Sequence, residues 1–394
     1  MPQPQLEAFQ LMHSATDPIP TAARTSITDL LDHGAHLQPG QKVLLLAYLD
    51  GLYGGDNMVD RTALQWITAM IEERGNAVET VWIDQPARLH DWKFPEEARL
   101  AMERNDLTIN HSFDLTVEEI LNFRKYVEHD KRKPMVRNFA TTAPLLCTSW
   151  AQTPQELVGE IRYQASRFIT PGSRWSLTDP NGTNLQGVVM PARIPAGKYT
   201  GRREEGFYLP WPEWVVPPIA LAETTGTFVF DLTLSWWSRY IGVSPYFENQ
   251  VTLTIENGRI LSIDGGHEAD AIRQLLTSLH DRLGEAVYNF DTLHFGVHPQ
   301  AYVAPHQCPS IPYRRMIEHA STCNIHAHLG SPKANDSYPY WPHITGDIRN
   351  ATFQIGDHVI HDHGHLTTLD HPAVREVAAR YPGRPGLERC PYPG

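Results

Sequence analysis

A run of seven consecutive apolar residues, Val43 to Leu49 (VLLLAYL), constrains the fold more than any other stretch of the chain. A strand with one wet face alternates polar and apolar side chains. A strand without that alternation is covered on both faces, as in a parallel sheet flanked by helices. The neighbouring segments agree. A short helical stretch through Ile27, Leu30 and Leu31 ends at Pro39-Gly40. After a glycine-rich turn, Gly51 to Gly55, the residues Ala63, Trp66, Ile67, Met70 and Ile71 recur at helical spacing and stop near Gly75. Val78 to Ile83 reads as a second strand, and Leu107 to Asn110 and Leu145 to Thr148 as further ones. Strands alternating with helices predict an α/β fold with a Rossmann-like N-terminal domain over residues 1–150. The loop GLYGGDN lacks GxGxxG spacing, so it reads as a strand-to-helix turn and not a dinucleotide site.

From about Thr170 the pattern changes, and residues 151–394 are expected to form a strand-rich α+β domain. Strands are expected at Trp175 to Thr178, Thr183 to Met190, Thr227 to Thr233, Val251 to Glu256 and Arg259 to Ile263. Asn257-Gly258 between the last two is a two-residue hairpin signal. A helix from Glu268 to Leu283 follows, then strands at Thr292 to Val297, Cys323 to Leu329 and Arg349 to Ile355, with a hairpin turn at Gly356-Asp357. Pro210 to Pro218 (PWPEWVVPP) cannot be a central strand and reads as a rigid loop over a cleft. The tail from Arg380 is rich in proline and glycine and reads as irregular.

Composition narrows the function classes. The formal net charge of −12 argues against a sequence-blind nucleic-acid binder. No apolar run approaches the roughly 18 residues of a membrane span. The N-terminus, MPQPQLEAFQ, has neither the basic region nor the apolar stretch of a signal peptide, so the expectation is a soluble, cytoplasmic protein. Cys147, Cys308, Cys323 and Cys390 form no CxxC pair and read as ordinary thiols. Histidine is the anomaly: of twenty, more than half fall after residue 290.

Strand geometry makes that region chemically interesting, because side chains alternate faces. In CNIHAHL, Ile325, Ala327 and Leu329 point one way while Asn324, His326 and His328 point the other. In TLHFGV, Leu293, Phe295 and Val297 form the apolar face, with Thr292 and His294 opposite. If PHITGDIR is extended, His343, Thr345 and Asp347 share a side. Two or three histidines with a carboxylate can hold Zn(II) or Fe(II) and leave positions open for substrate or oxygen. The denser cluster HDHGHL, His361 to Leu366, follows a hairpin turn and reads as a solvated loop.

The segments NGRILSIDGGHEADAIRQLL (257–276), FGVHPQA (295–301), NIHAHLG (324–330) and HITGDIRNATFQIGDHVI (343–360) resemble the C-terminal domain of the aminopeptidase T/S metallopeptidases. The same frame occurs in 2,5-dihydroxypyridine 5,6-dioxygenase, a non-haem iron enzyme. LQPGQKVLLLAYLD, TDPNGTNLQG (178–187) and EGFYLP (205–210) extend the resemblance from about residue 25 to about residue 370. It implies that Glu205 matches a metal-binding or acid/base glutamate, that His326 matches a peptidase histidine, and that His343 matches the histidine of a shared HxD metal motif. It also implies a homodimer. The departures matter as much. Thr292 stands where the peptidases carry a second glutamate and the dioxygenase a histidine, and Thr345 replaces the HxD aspartate. His294 and Asp347, each two residues further along the same strand face, are the candidate replacements.

Loss of carboxylates and gain of histidines shifts the expected site from a two-metal hydrolase toward a single metal. The expectation is a mononuclear Fe(II) enzyme, with Zn or Co as alternatives, whose ligands are His294, His343 and Asp347. Glu205, His326 or His328 would act as the base, and Tyr208, Trp211 and Trp214 would be flat walls for a small hydroxylated aromatic or heteroaromatic substrate that reacts with O2. A metallopeptidase with shifted ligands and a binding protein that has lost its metal are the alternative readings.

Overall fold

The computed structural model describes residues 18–48, 59–83, 95–111, 133–190, 208–212, 215–216, 218–234, 238, 241–330 and 344–388. In chain order its strands are β1 (Lys42–Tyr48), β2 (Ala77–Ile83), β3 (Leu107–His111), β4 (Met135–Asn138), β5 (Arg174–Thr178) and β6 (Asn184–Val188). Next come β7 (Tyr208–Trp211), β8 (Ile219–Ala220), β9 (Thr225–Leu232), β10 (Tyr246–Glu256), β11 (Arg259–Gly265) and β12 (Phe290–Phe295). The last are β13 (Ile325–Leu329), β14 (Ile344–Ile348), β15 (Thr352–Ile355), β16 (His358–Asp362) and β17 (His365–Leu366). The chain divides into two compact units, one made of residues 1–155, 203–213 and 306–308, the other of the rest.

The first unit is built on a five-stranded sheet of order β2-β1-β3-β4-β7 in which every pairing is parallel. Val43 to Ala47 are completely buried, which is why β1 can dispense with alternation. The helix α1 (Thr21–Asp29) precedes β1, and α2 (Arg61–Glu72) buries Ala63, Leu64, Trp66, Ile67, Met70 and Ile71. Asp60 caps α2 by accepting from the Ala63 N–H, and its other oxygen accepts from the Ala143 N–H at 2.7 Å. The strand expected at Leu145 to Thr148 is instead a helix, Ala143–Leu146. Thr142 caps it and Pro144 sits in its first turn, a combination that starts helices and does not extend strands. The strand at this place in the sheet is β4, whose four residues are too few to show a pattern. The expected loop from Pro210 also begins later, because β7 runs to Trp211. It pairs only with β4, and an edge position is the one that tolerates Pro210.

The second unit holds a twelve-stranded sheet with the path β17-β16-β15-β5-β6-β9-β14-β13-β12-β8, and the hairpin β10–β11 joins it through β9. Its central pairings are antiparallel. Asn257 and Gly258, at φ of 49° and 72°, make the tight turn between β10 and β11 that the sequence signalled. One face packs a single apolar core, which includes Phe228, Phe230, Leu293, Phe295, Ile325, Ala327, Ile344 and Ile348. HDHGHL is not a loop: it contributes to the β16–β17 hairpin, and His361 within it is fully buried, its Nε2–H donating to the carbonyl oxygen of Thr322 at 3.1 Å. The chain is thus a mixed α/β molecule with one parallel and one large antiparallel sheet. Among the described residues no helix is long and apolar enough to cross a membrane.

Candidate metal centre

Register converts three separate strand patterns into one surface. On β12 and β13, His294 faces His326 and Thr292 faces His328. On β13 and β14, His326 faces Asp347 and His328 faces Thr345. Two rows therefore cross the sheet side by side, His294–His326–Asp347 and Thr292–His328–Thr345. The opposite face is apolar, and Gly346 shows how tightly it packs. A Cβ there would lie 2.7 Å from the Phe230 ring and 2.8 Å from Phe228. The histidine face is also covered: His326, His328, Thr345 and Asp347 are all buried.

The cover comes from the helix α3 (Ile311–His319), which sequence reading missed. Ser310 caps it, Pro312 lies in its first turn, and Tyr246 Oη donates to Glu318 Oε2 at 2.7 Å. Arg315 and His319, one turn apart on this helix, both reach Asp347. Arg315 Nη2, His319 Nδ1 (2.6 Å) and Asn324 Nδ2 (2.9 Å) all donate to the same oxygen, Asp347 Oδ2. Burial alone would raise the carboxyl of Asp347, but His319 and Arg315 beside it bring it down to about 2, so it is ionised. Burial pushes His319 below the usual histidine range against the pull of Asp347. A serine or threonine start signal followed by proline, with Arg315 and His319 at i and i+4, was the trace of this helix in the sequence.

His294, His326 and His328 place one imidazole nitrogen each within 4.8 Å of one another. The His294 and His326 rings stack at 4.9 Å with 1° between their planes, and His328 lies 4.9 Å from His294 and 5.3 Å from His326. His294 is the least buried of the three, yet burial pushes its pKa down to about 4, so it is neutral at pH 7. Its Nδ1 meets the carbonyl oxygen of Val216 at 3.1 Å. Because a carbonyl only accepts, Nδ1 carries the proton and Nε2 is the lone-pair nitrogen, the form that binds metals. His319, His326 and Asp347 make a second group of the same kind, sharing His326 with the first.

The sequence-predicted residues divide unevenly. The structure brings His294 together with His326 and His328, and it sets Asp347 behind His326. Thr345, at the HxD aspartate position, is committed to the fold: its Oγ1 accepts from the Leu234 N–H at 2.9 Å, and its carbonyl accepts from Thr233 Oγ1 at 2.6 Å. Glu205, Trp214 and His343 lie outside the described residues, as does the side chain of Tyr208. Trp211 is corrected from a substrate wall to a core residue of the first unit. It has no exposed surface, its Nε1–H donates to Asp29 Oδ2 at 3.0 Å, and its ring abuts Gly34.

A grid of buried imidazoles on this sheet is what the comparisons with known proteins meet. A family model described as 2,5-dihydroxypyridine 5,6-dioxygenase matches residues 151–367, which contain every strand of the grid. The chain belongs to the 2,5-dihydroxypyridine 5,6-dioxygenase family. Membership points to a dioxygenase-like enzyme. The solved 2,5-dihydroxypyridine dioxygenase from Pseudomonas putida KT2440 is similar in fold, with a TM-score of 0.63 at 16% identity over 89% of this chain and 98% of that one. AmpT from Thermus thermophilus is a more distant fold relative, with a TM-score of 0.50 at 12% identity over 87% and 98%. No curated protein matches the chain in sequence.

Proposed function

We propose that this dioxygenase-family member is a mononuclear non-haem Fe(II) oxygenase that acts on a small hydroxylated aromatic or heteroaromatic substrate. The observation that carries the reading is the set of three imidazole nitrogens, on His294, His326 and His328, within 4.8 Å of one another. The donors suit the group. Neutral imidazole is a good ligand for Fe(II), and the hydrogen bond from His294 Nδ1–H to Val216 O leaves the lone pair on Nε2. Such an ion would supply redox chemistry toward O2 and would polarise a substrate hydroxyl.

The protein's part is orientation and charge. Imidazole ligates a metal in its neutral form, so the three rings would leave the ion's positive charge to attract a deprotonated ring hydroxyl. Asp347 offers the ion little, because Arg315 already neutralises it across a buried ion pair. This is a different ligand set from the one expected from sequence: His326 and His328 become ligands, and Asp347 withdraws from the coordination shell. Glu205, as a proton acceptor, and His343, as a further ligand, enter the reading only through the resemblance, as does homodimer assembly. A two-metal peptidase centre fits the chain less well. Among the described residues the two candidate groups supply a single carboxylate, and it is paired with an arginine.

Elemental analysis of protein purified without added metal, combined with oxygen uptake on a panel of dihydroxylated aromatics and pyridines, tests the reading. One iron per chain and substrate-dependent oxygen uptake are expected. Two zinc or cobalt ions per chain would favour the peptidase alternative, and the absence of any metal a binding protein.

A further inference from the structure

The mononuclear centre leaves one cluster of buried polar side chains without a role: Arg315, His319, Asn324 and Asp347. Arg315 and Asp347 have fully buried side chains, and His319 is 4% exposed. Stability does not explain them well, because a buried ion pair is weak at stabilising a fold compared with apolar residues of the same volume. Their geometry suggests a reason tied to the histidines instead.

His319 and His294 share a hydrogen-bonding signature. Each has Nδ1 against an oxygen that can only accept, the ionised carboxylate of Asp347 for His319 (2.6 Å) and the carbonyl of Val216 for His294 (3.1 Å). In each case Nδ1 must carry the proton, and Nε2 is the lone-pair nitrogen. A carboxylate or carbonyl behind Nδ1 is the arrangement that orients a metal-binding histidine and raises its basicity. His319 is also in the right place. Its ring centroid is 3.6 Å from that of His326, and its donor atom lies within 4.8 Å of donor atoms of both His326 and Asp347.

We propose that His319 is a fourth imidazole of the metal centre and that Asp347 is the positioning residue that orients it, itself fixed by Arg315 and Asn324. Helix α3 then serves the site directly, since it delivers both His319 and the arginine that immobilises its carboxylate partner. The assignment rests on the metal-centre reading above and deepens it. Asp347 Oδ2 is already occupied by three donors and its charge is balanced by Arg315, which suits it to holding His319 in place.

The test is a titration of metal-free full-length protein with Co(II), followed by its d–d absorption, in wild type, His319→Phe and Asp347→Asn. His319→Phe keeps a ring in the pocket and leaves the Asp347–Arg315 pair intact, so it retains the fold even if Asp347→Asn, which strands Arg315, does not. The expected result is that His319→Phe still binds Co(II), through the three remaining imidazoles, but about 10–100-fold more weakly and with an altered d–d spectrum. Asp347→Asn, where folded, should weaken binding by a similar factor. A purely structural role would lower the unfolding midpoint and leave the spectrum untouched. Wild-type Co(II) affinity and spectrum in His319→Phe would overturn the fourth-imidazole assignment while leaving the three-histidine centre standing. A wild-type protein that takes up no Co(II) would overturn the centre and this assignment together.

Discussion

The two sheets both bury histidine, and they do so in different ways. In the parallel sheet of the first unit, His111 at the end of β3 is alone. The Ala140 N–H donates to Asn138 Oδ1, so the amide nitrogen of Asn138 is the atom that faces His111 Nδ1 at 2.9 Å. One side-chain partner holds one neutral ring, and among the described residues it belongs to no candidate ligand group. In the antiparallel sheet of the second unit, His294, His326 and Asp347 lie in one row across three strands, His328 stands in the next, and His319 covers them from α3. A solitary buried histidine is ordinary packing that found a hydrogen bond. Several in one desolvated patch, with a charged pair among them, incur repeated desolvation costs that packing does not repay. The comparison separates a structural histidine from a functional group of them.

Acid should produce the largest effect, and it should act on both units. Burial pushes both His111 and His361 down to about 3, against an ordinary value near 6.5 in the unfolded chain. Between those values the unfolded chain binds protons that the native rings refuse. Stability is therefore full above about pH 6.5 and falls as the pH drops toward 3. Denaturant titrations of metal-free protein at pH 8, 6 and 4.5 should show midpoints that decrease in that order. Equal midpoints at pH 8 and 4.5 would mean that these rings are not buried as neutral bases.

A smaller effect, confined to the second unit, is expected from Arg315→Met. It leaves the Asp347 carboxylate buried without its cation, at a cost of about 3–5 kcal/mol in unfolding free energy. Removing the exposed pair Arg24–Glu73 of the first unit by Arg24→Met should lower that free energy far less in the same measurement, because solvent screens that pair. Similar losses for the two substitutions would contradict the buried assignment of Arg315.

Much of this site was legible along single strands. Period-two alternation in CNIHAHL and TLHFGV put Asn324, His326, His328 and His294 on polar faces, and the strands formed where expected within a few residues. What alternation could not supply was register. His294 could meet His326 or His328 until the pairing was known, and Asp347 could stand beside a metal or behind a ligand. The helix IPYRRMIEH carries arginines and a glutamate that do not mark a buried face by pattern alone. Arg315 is in fact buried because its partner, Asp347, lies thirty-two residues away. In the first unit, β1 was plain from its apolar run, whereas β4, four residues behind Lys133-Pro134, was too short to carry a signal. Trp211 was misread because a tryptophan among prolines resembles a binding surface, while its actual partner is the buried Asp29.

The central claim is that the imidazole row binds a metal. The most direct measurement is anaerobic Fe(II) binding to metal-free wild type, His294→Ala and Thr292→Ala. Thr292 and His294 lie on the same face of β12, two residues apart, but only His294 belongs to the imidazole group. The account predicts one Fe(II) bound in wild type and in Thr292→Ala, and binding weakened by about 10–100-fold in His294→Ala. Equal iron binding by His294→Ala and wild type would contradict it.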